Sequence, residues 1–189
     1  MISKFFKADK GMAGIEAALI MPFMLLLYFS LHDLTALITF NRKITSTAST
    51  IADVVGQATT ANTTKAVVLD DLQAAGMIMQ PTPMTDVHVD IIDYRIKNGT
   101  PTAVWQTHTT TGPACSTPSI SNMPALMSSG NDVIVAVACM NYTPYVATFL
   151  GSNLLGSTSF MIQQTITARP RGSATLDCYV SGTSGTLCS

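Results

Sequence analysis

Chemistry in this 189-residue chain would have to come from four cysteines, three histidines and one isolated carboxylate. The cysteines, Cys115, Cys139, Cys178 and Cys188, all lie in the second half. An even count confined to one region points to disulfides formed in an oxidising compartment, with buried free thiols as the alternative. A zinc site fits less well. No two cysteines have the short spacing of zinc ligands, and no histidine follows in register. Four cysteines allow three pairings. The favoured one joins Cys178 to Cys188, closing a short loop in the tail, and Cys115 to Cys139, tying a Pro/Ser-rich loop to a strand.

The histidines are poorly placed for catalysis. His32 stands beside Asp33 just past an apolar run, where a polar pair suits a membrane interface. His88 and His108 fall in strand-like stretches flanked by Val and Thr, and read as surface residues of a sheet. No G-x-S-x-G elbow, P-loop, dinucleotide-binding glycine signature or H-E-x-x-H helix accompanies them. Asp70 and Asp71 are adjacent, so they point to different faces of a helix and read as solvated charges. Asn-x-Thr triplets at Asn62, Asn98 and Asn141 are what chance yields in a Thr-rich chain. The chain is therefore expected not to be an enzyme, and neither a metal nor a cofactor is expected.

Glu16 is the isolated carboxylate. It interrupts an otherwise apolar stretch that begins at Met12 and runs through AALIMPFMLLLYFSL, the fifteen chargeless residues from Ala17 to Leu31. Twenty residues at a rise of 1.5 Å span about 30 Å, the thickness of a hydrocarbon core. The leader MISKFFKADKG carries Lys4, Lys7 and Lys10, which favours a cytoplasmic N-terminus with the remainder sent across. An ordinary signal peptide fits less well, because no small-x-small cleavage site follows Leu31. A carboxylate at the edge of a span costs a few kcal/mol unless paired, so it either snorkels to the headgroups or is kept for a purpose.

The elements around these residues follow from composition and periodicity. Charged residues make up 11% of the chain, under half the globular norm of about 25%. A net charge of −1 and the lack of a basic stripe argue against nucleic-acid binding. Ile44, Ala48, Ile51 and Val55 recur at helical spacing and extend the membrane helix outward, with a face to pack against neighbouring chains, on the chain's own domain, or both. Thr63 or Thr64 caps a second helix with Val68, Leu72, Ala75 and Met79 inward, ended by Pro81 and Pro83. Met77 and Met79 read as core filler or interface. VHVDIIDYRI alternates, then shifts phase at Ile92, which suggests a bulge. NGT at Asn98 to Thr100 reads as a hairpin turn into TAVWQTHT, and DVIVAVACM as a central strand. TSFMIQQTITA forms a further strand with Phe160, Ile162, Ile166 and Ala168 inward, after a loop with a short helix. The expected class is α+β: a long N-terminal transmembrane helix continuing into a domain with a second helix and a mostly antiparallel sheet. The expected divisions are a basic leader (1–11), transmembrane helix (12–40), extended helices (41–80), α+β domain (81–172) and a disulfide-tied or flexible tail (173–189).

The order of leader, Gly11, Met12, Glu16 and a proline-containing apolar run (Pro22) resembles the TadE/TadF-type minor pilins of tight-adherence pilus systems. This chain departs from their usual pattern in having Ala17 where an aromatic commonly stands. IADVVGQ, the hairpin with Trp105 and the NYTPY loop are also similar to the TadE/TadG-like region that follows. The resemblance implies cleavage after Gly11 by a prepilin peptidase, giving a mature chain that starts at Met12. It also implies that Glu16 neutralises the N-terminal amine of a neighbouring subunit. The implied partners are other pilin-like subunits, the inner-membrane pilus assembly platform and the lipid bilayer, with the C-terminal domain in the periplasm. The alternative is an uncleaved, membrane-anchored periplasmic binding module.

Overall fold

The computed structural model describes residues 9–59, 63–97, 100–118, 131–150, 159–172, 174–180 and 187–188. The chain forms two compact units. Residues 40–142 and 161–189 make one, and residues 1–39 with 143–160 make the other. Helix α1 (Asp9–Gln57) contributes to both.

The larger unit is built on a four-stranded antiparallel sheet. Its strands are β1 (Val87–Lys97), β2 (Thr100–His108), β3 (Asp132–Tyr142) and β4 (Phe160–Ala168), in the order β2-β1-β3-β4. The two central strands are apolar on both sides. Ile92, Tyr94, Val133, Val135 and Val137 form one cluster, with Ile96 and Cys115 packed against it. Val89, Ile91, Ile134 and Ala136, of the opposite parity, are fully buried as well. Burial on both faces explains why the apolar pattern of β1 changes phase at Ile92. β1 itself is not bulged there, since it stays in register with β3 from Val87↔Met140 to Arg95↔Asp132. The irregularity falls on β2, where Asp93 pairs with Trp105 but Tyr94 with Ala103, leaving Val104 as the extra residue. β1 and β2 pair as far as Lys97↔Thr100; the expected turn residues Asn98 and Gly99 lie outside the described residues. β4 departs from its expected pattern. Ile162 is buried and Ile166 and Ala168 are half-buried, but Phe160, at the start of an edge strand, is exposed.

Two helical stripes join this core. Ile44, Ala48, Ile51 and Val55 of α1 are fully buried, as are Val68, Leu72, Ala75 and Met79 of α2 (Lys65–Met79). The hydroxyl of Thr64 accepts from the backbone N–H of Val67 and caps α2. A cap contributes about 1 kcal/mol and each large buried apolar side chain about 1.5–3 kcal/mol. The buried stripe therefore decides where the helix forms, and the cap only where it begins. Of the two adjacent acids on α2, Asp70 is exposed but Asp71 is half-buried, so only the first is fully solvated. Burial, and then the neighbouring Asp70, raise the pKa of Asp71.

Disulfides join Cys115 to Cys139 and Cys178 to Cys188. The first ties the segment after β2 to β3. That segment passes close over β1 at Gly112, whose φ is +84° and whose missing Cβ would meet the Val87 carbonyl at 2.5 Å. Only glycine takes that backbone conformation without strain. The second disulfide fixes the tail, in which the Tyr179 carbonyl accepts from Lys65 N–H and the Cys188 carbonyl from Gln106 N–H. The tail is thus tied to α2 and β2; its SGTSGT stretch lies outside the described residues.

In the smaller unit α1 is long and apolar enough to cross a membrane, by length and composition. Asp33 is buried there and accepts hydrogen bonds from the N–H groups of Tyr145 (2.9 Å) and Val146 (2.8 Å). These open the short helix α3 (Tyr145–Leu150).

Candidate functional site

The residues expected to act in assembly all lie on the first part of α1, which stays helical through Pro22. Gly11 and Met12 fall within the helical backbone, and their side-chain surroundings lie outside the described residues. Glu16 is exposed and pairs with no described residue. Around and beyond it Ile15, Leu19, Ile20, Phe23, Met24 and Leu27 are exposed too. The most apolar window has a mean hydropathy of 1.9, and none of it is buried. An exposed apolar surface of this extent marks a membrane or protein contact rather than a water-facing helix. Physically, the site offers apolar area all round and a single carboxylate with no described counter-charge.

A second group was not flagged by sequence. Asp93, Arg95, Asp132 and Asp177 converge on the sheet, the first two from β1, the third from β3 and the last from the tail. Arg95 grips Asp132 through both ends of its guanidinium, at 2.5 and 2.6 Å, and reaches Asp177 at 3.1 Å. Asp132 also accepts from Leu176 N–H at 2.7 Å, while Trp105 Nε1 donates to the Leu176 carbonyl at 2.7 Å. These contacts of the cation are structural ones, holding the tail onto the strands. Asp93 sits diagonally from Asp132 on the same face, fully buried, with neither oxygen hydrogen-bonded. Burial, then the Asp132 carboxylate, push its pKa up to about 8, against the opposing pull of Arg95. Asp93 and Arg95 continue the alternation of buried Val89 and Ile91, and charges at apolar positions are the signal that could have revealed the group.

The sign of the pH dependence follows. An unfolded Asp loses its proton near pH 4, whereas folded Asp93 holds it until about pH 8. Stability contributed by the neutral form is complete below about pH 4 and is lost as pH rises toward 8. Asp93→Asn removes this titration. Its melting temperature, relative to wild type, is expected to be clearly higher at pH 9 than at pH 5. An equal difference at both values would show that Asp93 does not carry the proton.

Of the two strand histidines, His108 is exposed as expected, whereas His88 is not. His88 is not a surface residue but is buried, with 8% exposure. Its Nδ1 lies 2.8 Å from the Thr111 carbonyl and its Nε2 3.1 Å from Asp90, and its ring stacks on His108. The crossing segment around Gly112 covers it, which the local pattern of β1 does not reveal. A cavity of about 160 Å³ beside Asp90 and His108 is lined by Cys115, whose sulfur is in a disulfide and offers no thiol. No group of three metal-ligating side chains occurs among the described residues. No family model, no curated protein and no solved structure matches this chain.

Proposed function

We propose that this chain is a pilin-like membrane subunit that acts in assembling a tight-adherence type IV pilus, through helix packing rather than catalysis. The observation that carries this reading is the division of labour along α1. Its apolar run is exposed and carries Glu16 near its start, while its last four turns are buried in the sheet domain by Ile44, Ala48, Ile51 and Val55. Such a helix presents an anchored rod to lipid and to neighbouring helices. Two disulfides suit an oxidising compartment, here the periplasm, with the N-terminus in the cytoplasm. Cleavage after Gly11 would free an amine at Met12, and Glu16 of an adjacent subunit would neutralise it. Two buried charges that cancel are tolerated where one is not.

Glu16→Gln tests the reading. Gln keeps the shape and is cheaper to hold in lipid, so insertion and leader removal are expected to stay near wild type. It cannot cancel a positive charge, so co-purification with other pilin-like subunits and surface pili are expected to fall severalfold. Normal piliation with normal processing would remove Glu16 from the mechanism.

A further inference from the structure

Besides part of α1, the smaller unit contains residues 143–160, which include the connection between β3 and β4. Two features set this connection apart. Residues 143–160 include no Asp, Glu, Lys, Arg or His. A water-facing loop of ordinary composition would carry several charges in that length. The connection is also pinned to α1 at a defined height. Asp33 binds it, two residues past Leu31, where the chargeless run ends. From there a stripe of half-buried Leu26 and Phe29, buried Asp33 and half-buried Ala36 and Leu37 runs along the helix at spacings of three and four. Asp33 to Leu26 is about 10 Å along the axis. This stripe marks the side on which the connection packs, and it runs back into the apolar run.

We infer that the start of this connection, Thr143 to Ala147, is a second membrane contact that lies in the headgroup zone of the bilayer spanned by α1. Tyr145 is the anchor. Tyr145 is 59% exposed, and its ring lies 5.3 Å from that of His32 in an edge-to-face arrangement. Tyrosine is enriched at this depth because its ring is apolar and its hydroxyl is wet. Near lipid, unpaired backbone donors are costly. Both oxygens of Asp33 are spent on the first N–H groups of α3, which removes that cost and disperses the carboxylate's charge. Lipid is favoured over a protein partner because the surface is continuous with the exposed apolar belt of α1 and offers no charged group to specify a partner.

The inference rests on α1 spanning a bilayer, and the test separates the two. Tyr145→Trp and, separately, Phe23→Trp are reconstituted as full-length protein in phosphatidylcholine vesicles. The lipids are brominated either near the headgroup or near the chain ends. Wild type, whose Trp105 is buried in the sheet, gives the baseline. The indole at position 145 is expected to lose most emission to the shallow bromines, and the one at position 23 to the deep ones. Quenching at position 23 with none at position 145 would overturn the inference alone. No quenching at position 23 would overturn the membrane reading and the inference with it. Should Tyr145→Trp fail to fold, Thr143→Trp, at another exposed position, reports the same depth under the same criteria.

Discussion

Arg95→Met is expected to lower the stability of the chain by about 3–5 kcal/mol, the cost of stranding buried carboxylates without their cation. Asp132 is wholly buried and Arg95 supplies both of its guanidinium contacts. Asp93, with no hydrogen bond of its own, lies in the same field. Losing the cation would also release Asp177 and loosen the tail at Leu176. Chemical unfolding of detergent-solubilised protein, followed by Trp105 fluorescence, reads both events, since that indole donates to the Leu176 carbonyl. Arg95→Lys is expected to recover only part of the loss, because an ammonium cannot reproduce the two-pronged contact. A loss below about 1 kcal/mol would place the pair with ordinary surface ion pairs and remove it as the clasp of the tail.

The second large effect concerns the disulfides. Replacing Cys115 and Cys139 together by Ser is expected to cost about 3 kcal/mol, by the loop entropy returned to the unfolded chain. The bond closes a separation of 24 residues, against 10 for Cys178–Cys188. On that basis the longer loop is worth about 0.8 kcal/mol more than the shorter. Urea unfolding of the two double variants measures the difference. Alkylation of exported protein before non-reducing electrophoresis is expected to show no free thiol. Four alkylated cysteines would contradict both pairs and the oxidising compartment.

Sequence revealed the elements whose cause is local. The stripe Val68, Leu72, Ala75, Met79 repeats at helical spacing, and α2 forms where that spacing and Thr64 place it. β3 is apolar from Val133 to Met140 because it is central, and it reads as central. What sequence missed depends on partners distant along the chain. The apparent bulge in β1 is really burial on its second face, and the true bulge sits at Val104, where nothing local marks it. His88 is covered by a segment more than twenty residues away, at Thr111. Asp33 reads as half of an interfacial pair with His32, yet its oxygens serve α3, 112 and 113 residues on. Glu16 stands out at once because its neighbours along the chain are all apolar. Asp93 does not, since the strand also carries Asp90, Arg95 and Lys97.

The pilin-like reading turns on one bond, between Gly11 and Met12. The direct measurement is the mass of the N-terminal peptide of the protein recovered from membranes of cells with an active prepilin peptidase. A chain that begins at Met12 is the predicted result. A chain that still carries residues 1–11 would contradict processing, and with it the amine that Glu16 is proposed to neutralise.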